Sequence, residues 1–125
     1  MLPDQCVNHV PDRSFQACEI VYTLVDYCVE YTWDPTKSDE NFRTRGFDFA
    51  FAAQVFGGTV VEYIDDRRDY GEVRRVAVGV AEGIPLTVVF TDREPRPGRV
   101  IRRIISARVS SRKERARYAK AIEVR

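Results

Sequence analysis

At 125 residues the chain is long enough for one domain with a sizeable core and too short for a second. Its composition, 44% hydrophobic and 31% charged, is that of an ordinary soluble globular protein; no apolar run approaches the roughly 20 residues of a membrane span, and the first residues lack the basic start of a secretory signal, so the expected place is cytoplasmic with no membrane partner. The net charge of +1 conceals a split, because residues 1–91 carry 8 Lys/Arg against 15 Asp/Glu, net −7, while residues 92–125 carry 12 against 4, net +8. A basic tail of this kind points to an anionic partner, with phosphate the usual one; the competing reading is a solvated helix face paired with acidic loops.

Residues 1–27 read as an N-terminal extension, poorly ordered at "MLPDQCVNHVPDRS", where two prolines interrupt any periodicity. The following "FQACEIVYTLVDYC" is apolar enough for a helix or a strand, and its periodicity does not choose between them. All three cysteines and the only histidine lie within the first 28 residues. The odd cysteine count argues against a disulfide framework. Cys6 and His9 share a C-x-x-H spacing that Cys18 and Cys28 could complete as a zinc site, but the later spacings are irregular, so reduced thiols and no metal are expected.

From residue 28 to 125 the signals are those of a single domain. "CVEYTW" alternates as a short strand, and "DP" then starts a helix with Asp34 as N-cap and Pro35 at the first helical position. That helix ends at Gly46, with Arg43 and Arg45 near its carbonyl end. A second helix follows Asp48, carrying Phe49, Ala52, Ala53 and Phe56 on a core-facing stripe until Gly57 and Gly58 stop it. "TVVEYI", "EVRRVAVGV" and "PLTVVFT" are strand-like, and their short links favour antiparallel hairpins. A loop, "DREPRPG", leads to a fourth run, "RVIRRIISARV". The last element is a helix begun by an S-x-x-E capping box, Ser111 and Glu114, and covered with Arg112, Lys113, Arg115, Arg117 and Lys120. The expected fold is therefore α+β: an antiparallel sheet of about four to five strands, two helices on its N-terminal side and one basic C-terminal helix.

The candidate chemistry lies in the arginines. A guanidinium donates two parallel bonds to phosphate oxygens and stays charged at any physiological pH. Arg74, Arg103 and Arg108 fall within strand runs, where a charged side chain must either pair with an acid, such as Glu62 or Glu72, or open onto an anion-binding cleft. In a regular strand Arg102, Ile104, Ser106 and Arg108 share one face, and Ile101, Arg103, Ile105 and Ala107 the other. Arg103 and Arg108 meet in one cleft only if a bulge intervenes or Arg108 reaches in from beyond the strand end. Asp65, Asp66 and Asp69 in "IDDRRDYGE" are interleaved with arginines and read as a solvated turn rather than a cation site.

From Val29 to Ala121 the order "WDPTKSDENFRTRGFDF", "DYGEVRRVAVG", "LTVVFT", "RIISAR" and "SSRKERARY" resembles the BrnT toxins of bacterial type II toxin–antitoxin modules. The resemblance implies a RelE-like fold, a ribonuclease activity that halts translation, and a ribbon-helix-helix antitoxin of the BrnA type. That antitoxin would hold the toxin inactive in a complex with two copies of each partner and would carry it to operator DNA. The matching positions are Trp33, Asp34, Lys37 and Asn41; Glu72 and Arg74; Arg103, Ser106 and Arg108; and Glu114 and Tyr118. On this basis the catalytic set is Arg74, Arg103, Arg108, Glu72 and Ser106, the RNA-binding set Lys37, Arg45, Arg112, Arg115 and Tyr118, with no cofactor. Where the family usually reads K-H-G, this chain has Thr44, Arg45 and Gly46. Arg45 can hold a phosphate but is a poor base at neutral pH. Two alternatives stand beside the ribonuclease: a catalytically silent relative that only binds the antitoxin, and a basic nucleic-acid-binding module outside toxin systems.

Overall fold

The computed structural model describes residues 6–8, 19–22, 27–65 and 71–123. Two short strands, β1 (Cys6–Asn8) and β2 (Glu19–Tyr22), precede β3 (Tyr27–Trp33), whose aromatic and β-branched residues suit a pleated surface. Strand geometry at Glu19–Tyr22 settles for those four residues what periodicity left open. Helix α1 (Pro35–Arg45) begins as its sequence dictates: the Asp34 carboxylate accepts the Thr36 N–H at 2.9 Å, and Pro35 takes the first turn. It ends where Gly46, at φ 89°, donates its N–H to the Phe42 carbonyl at 3.0 Å. The second helix is shorter than its apolar stripe suggests. Capped by Asp48, α2 (Phe49–Ala52) completes one turn and tightens into a 3₁₀ segment (Ala53–Gly57), which turns the adjacent Val55 and Phe56 both into the core.

Strands β4 (Val60–Asp65), β5 (Arg74–Ala81), β6 (Ile84–Arg96) and β7 (Arg99–Val109) form the expected meander. The sheet order is β1-β3-β7-β6-β5-β4-β2, with β1 and β2 as short additions at the edges of five longer strands. The sheet is mixed rather than antiparallel, because β3 lies parallel to β7, Trp33 opposite Ile104. Short loops reveal hairpins, but the pairing of β3 with the last strand spans most of the chain and leaves no local trace. The expected loop "DREPRPG" is mostly strand. β6 continues to Arg96 and turns at Gly98, φ 84°, with a register irregularity between Arg93 and Arg96 that accommodates Pro95. Residues 93–96 are exposed and carry no alternating apolar side chains, so alternation could not announce them. The chain closes with α3 (Arg112–Glu123), where Ser111 Oγ accepts the Glu114 N–H at 3.2 Å and Glu114 Oε1 accepts the Ser111 N–H at 2.8 Å.

α2 and the 3₁₀ segment cover one face of the sheet, burying Phe49, Val55 and Phe56 against Ala77, Leu86, Val88, Phe90, Ile104 and Ala107. Gly79 sits at the tightest approach: a Cβ there would lie 2.9 Å from Val60 Cγ1 and 3.0 Å from Val55 Cβ. The largest fully buried side chain is Arg102. It forms a fork with the Asp92 carboxylate directly across the strands, 2.8 Å on both bonds, and its guanidinium lies 4.5 Å from the ring centroids of both Phe56 and Phe90. Two rings and a bidentate carboxylate together compensate the desolvation of a cation. Arg102→Ala leaves Asp92 unpaired beside an empty slot and is expected to destabilise the fold by about 3–5 kcal/mol; Gly79→Ala is expected to cost about 1–3 kcal/mol through overpacking. Both are checked by urea unfolding of the purified variants.

Candidate functional site

One irregularity in β7 arranges the opposite face of the sheet. Val89 pairs with Ser106 but Phe90 with Ile104, so Ile105 is an extra residue in the ladder. On either side of it the alternation restarts in opposite phase. Arg102, Ile104 and Ala107 therefore point into the core, and Arg103, Ser106 and Arg108 share the other face, which a regular strand forbids. The register then defines rows across the sheet: Ser106, Val89, Val76 and Tyr63 in one, and Arg108, Thr87, Val78 and Val61 in the next.

A cavity of about 650 Å³ opens over the Ser106 row, lined among others by Arg45, Tyr63, Ser106, Arg108, Glu114 and Arg117. A neighbouring cavity of about 570 Å³, reaching Lys37 and Thr44 on α1, shares Arg45 and Ser106 with it. Arg45 is placed by the sheet edge. β3 stops pairing at Ile104, and beyond that point Arg45 Nη1 donates to the Ala107 carbonyl at 2.8 Å, and to Asn41 Oδ1 at 3.3 Å. Asn41 in turn donates to the Phe47 carbonyl at 2.8 Å, and Ser38 Oγ accepts the Phe49 N–H at 3.0 Å, tying α1 to the start of α2.

Glu114 organises the other wall. Both its oxygens accept from Arg108, at 2.7 and 2.6 Å, and Oε1 also accepts from Thr87 Oγ1 at 3.0 Å and from the Ser111 N–H. The Arg108 bonds above all, then those from Ser111 and Thr87, hold the Glu114 carboxyl at about 2 despite the opposing effect of burial. It is a fixed anion at neutral pH and has no capacity to act as a base there. Three residues along α3, Arg117 stacks 4.1 Å from the Tyr63 ring centroid. Burial raises the Tyr63 phenol above its ordinary value, and the nearby Glu114 charge adds to the rise, so the hydroxyl stays protonated.

The sequence-derived site residues fall into three groups. Ser106, Arg108, Arg45 and Lys37 border the joined cavities. Arg103 and Glu72 line a separate cavity of about 740 Å³ with Arg93 and Arg99, and Glu72 accepts from Arg74 Nε at 3.2 Å. Arg103 lies about 13 Å along β7 from Arg108, at roughly 3.3 Å per residue with the bulge residue excluded. The arginines thus occupy one surface but do not converge in one pocket. On α3, Arg112 is exposed and lines neither joined cavity, Arg115 donates to the Ser110 carbonyl at 2.8 Å, and Tyr118 OH donates to the Thr59 carbonyl at 2.9 Å, anchoring the helix. Tyr63 and Arg117 were not anticipated. Arg117 was legible as the i+3 neighbour of Glu114, whereas Tyr63 enters only through strand register.

Among the described residues no three His, Cys, Asp or Glu side chains cluster as a metal site, and no helix is long and apolar enough to cross a membrane. His9, Cys18 and residues 66–70 lie outside the described residues, as do the side chains of Cys6 and Cys28.

Arginines, a serine hydroxyl and a neutral phenol around open cavities are equipment for a phosphate diester. The comparison with protein families gives the chain its class, a ribonuclease toxin of a type II toxin–antitoxin system. Residues 33–114 match the family described as "Ribonuclease toxin, BrnT, of type II toxin-antitoxin system", and since this stretch is well over half of the chain, the protein belongs to the BrnT family. Membership implies an antitoxin partner, and it displaces the reading as a nucleic-acid-binding module outside toxin systems. No curated protein matches the chain.

The Glu114 anion carries a pH signature. Its carboxyl is depressed from 4.5 to about 2, so the stabilisation from its contacts is complete above pH 4.5 and is lost as pH falls towards 2. Glu114→Gln retains a capping side chain but not the ion pair. The stability difference between the wild type and this variant, followed by urea unfolding across pH, is expected to be constant near neutrality and to vanish between pH 4.5 and 2.

Proposed function

We propose that the joined cavities around Arg45, Ser106 and Arg108 hold the scissile phosphate of an RNA, and that cleavage is metal-independent. The ribose 2′-oxygen gives up its proton and bonds to the adjacent phosphorus, the bond to the 5′-oxygen breaks, and that oxygen takes up a proton, leaving a cyclic phosphate. Arg108, held in orientation by Glu114, would stabilise the charge that develops on the phosphate oxygens, with the Ser106 hydroxyl as a further donor. Arg45 and Arg117 would flank the chain, and the phenol of Tyr63 is a proton donor within the same cavity. Glu72 would orient Arg74, and together with Arg103 this group continues the cationic surface towards neighbouring phosphates. The observation that carries the reading is the phase change at Ile105, which turns Ser106 and Arg108 together towards the cavity.

The partner proposed for this toxin is a BrnA-type ribbon-helix-helix antitoxin, which would silence it in the cytoplasm and connect it to operator DNA. Free toxin would stop translation by cutting RNA. A specific observation also favours the silent alternative: Arg45 replaces the histidine usual in the family and is already bonded to Ala107, while both terminal nitrogens of Arg108 engage Glu114. Incubation of purified protein with end-labelled RNA in EDTA decides between them. The ribonuclease reading expects cleavage that falls about 10²-fold in Arg108→Ala, assayed where circular dichroism shows that variant still folded because it loses the Glu114 ion pair, and that falls measurably in Ser106→Ala at unchanged melting temperature. Intact RNA at high protein concentration would establish the silent relative instead.

A further inference from the structure

Six large hydrophobic side chains are exposed among the described residues, and three of them, Phe42, Ile84 and Val109, border a single groove of about 490 Å³. Phe47 and Phe51 also line it. The groove opens beside the core-side face of the sheet, where Ile84 and Val109 extend the apolar rows of β6 and β7 past Leu86 and Ala107. Neighbouring exposed apolar groups of this kind mark an interaction surface.

Three charged side chains border the groove, Arg45, Glu82 and Asp48, and the Asp48 carboxylate is already engaged in capping α2 by the Phe51 N–H. Ala107, whose carbonyl holds Arg45, pairs with Val88; Val109 pairs with Leu86; Ile84 lies two residues further, and Glu82 lies beyond the strand in a turn at φ 49°. Arg45 and Glu82 therefore stand at opposite ends. Arg45 also lines both cavities of the RNA face, so the groove and the proposed site meet at one guanidinium.

We infer that this groove is the seat of the antitoxin. The segment that fills it presents two or three apolar side chains to Phe42, Ile84 and Val109, a carboxylate to Arg45, and a basic residue towards Glu82. The family assignment requires a protein partner, and charge complementarity selects a segment that is acidic at the end nearest the cavities. Such a segment withdraws Arg45 from phosphate while its apolar anchors supply most of the affinity. This inference rests on the proposed role of Arg45 in RNA binding.

The test is titration calorimetry of the full-length chain with its purified cognate antitoxin, alongside RNA cleavage by the free toxin. Ile84→Glu and Val109→Glu change exposed positions outside the cavities, and each is expected to weaken antitoxin binding about 30-fold or more while melting temperature and free-toxin cleavage stay as in the wild type. Glu82→Lys is expected to weaken binding about tenfold, through charge alone. Antitoxin binding unaltered in both glutamate variants overturns the inference. So does a change in the toxin's own oligomeric state with antitoxin affinity preserved, which would assign the groove to a second copy of the chain. A wild-type chain that binds antitoxin but cuts no RNA would instead defeat the ribonuclease reading, leaving the docking measurement intact. A wild-type chain that binds no antitoxin overturns the docking inference outright.

Discussion

The insertion of Ile105 into the β7 ladder is the constraint on which the functional face depends. A strand has only two faces, and Arg103 and Arg108 are five positions apart, so regular pairing would turn one of them into the core. The bulge changes the phase between them. It lets Arg102, Ile104 and Ala107 serve the core while Arg103, Ser106 and Arg108 serve the opposite surface. Removing the extra residue would reverse one half of the strand against the other. Such a feature is a means of aiming side chains, and bulges are over-represented beside active sites for that reason.

Arginine performs several distinct tasks in this small domain, and environment separates them. Arg102 is wholly buried, forked to Asp92 and enclosed by two phenylalanine rings, so its charge belongs to the fold. Arg45 completes the edge of β7 where β3 has ended, and still borders the cavities. Arg108 is exposed yet held by a carboxylate that is itself fixed by a helix cap and a threonine. Such a clamp trades freedom for orientation, which is what electrostatic stabilisation of a developing charge demands. Glu114 thereby joins two levels of structure, since one carboxylate starts α3 and positions the guanidinium beneath it.

With the proposed partner groove and the proposed RNA site on opposite sides of the sheet and both bordered by Arg45, the fold would offer a physical route to control. A protein that binds the apolar side need not fill the cavities to silence them. It need only compete for a guanidinium at the edge, where the termination of β3 has left room for α1. The guanidinium of Arg45 suits such a role, since its planar fork can donate to a carboxylate while it keeps its bond to the Ala107 carbonyl.

Much of this protein was legible in local sequence because local chemistry determines it. Asp34, Pro35 and Gly46 bound the first helix, Ser111 and Glu114 start the last, and the short links of the meander specify hairpins, each through contacts within a few residues. The order of motifs from Trp33 onward also carried the family. Tertiary structure decided the rest. It paired β3 with β7 in parallel, extended β6 through a polar ribbon, cut the second helix short, sent Arg102 inward, and divided the arginines between two cavities. These outcomes depend on which strand lies beside which and in what register, a choice made by the packing of distant residues and therefore absent from any short window of the chain.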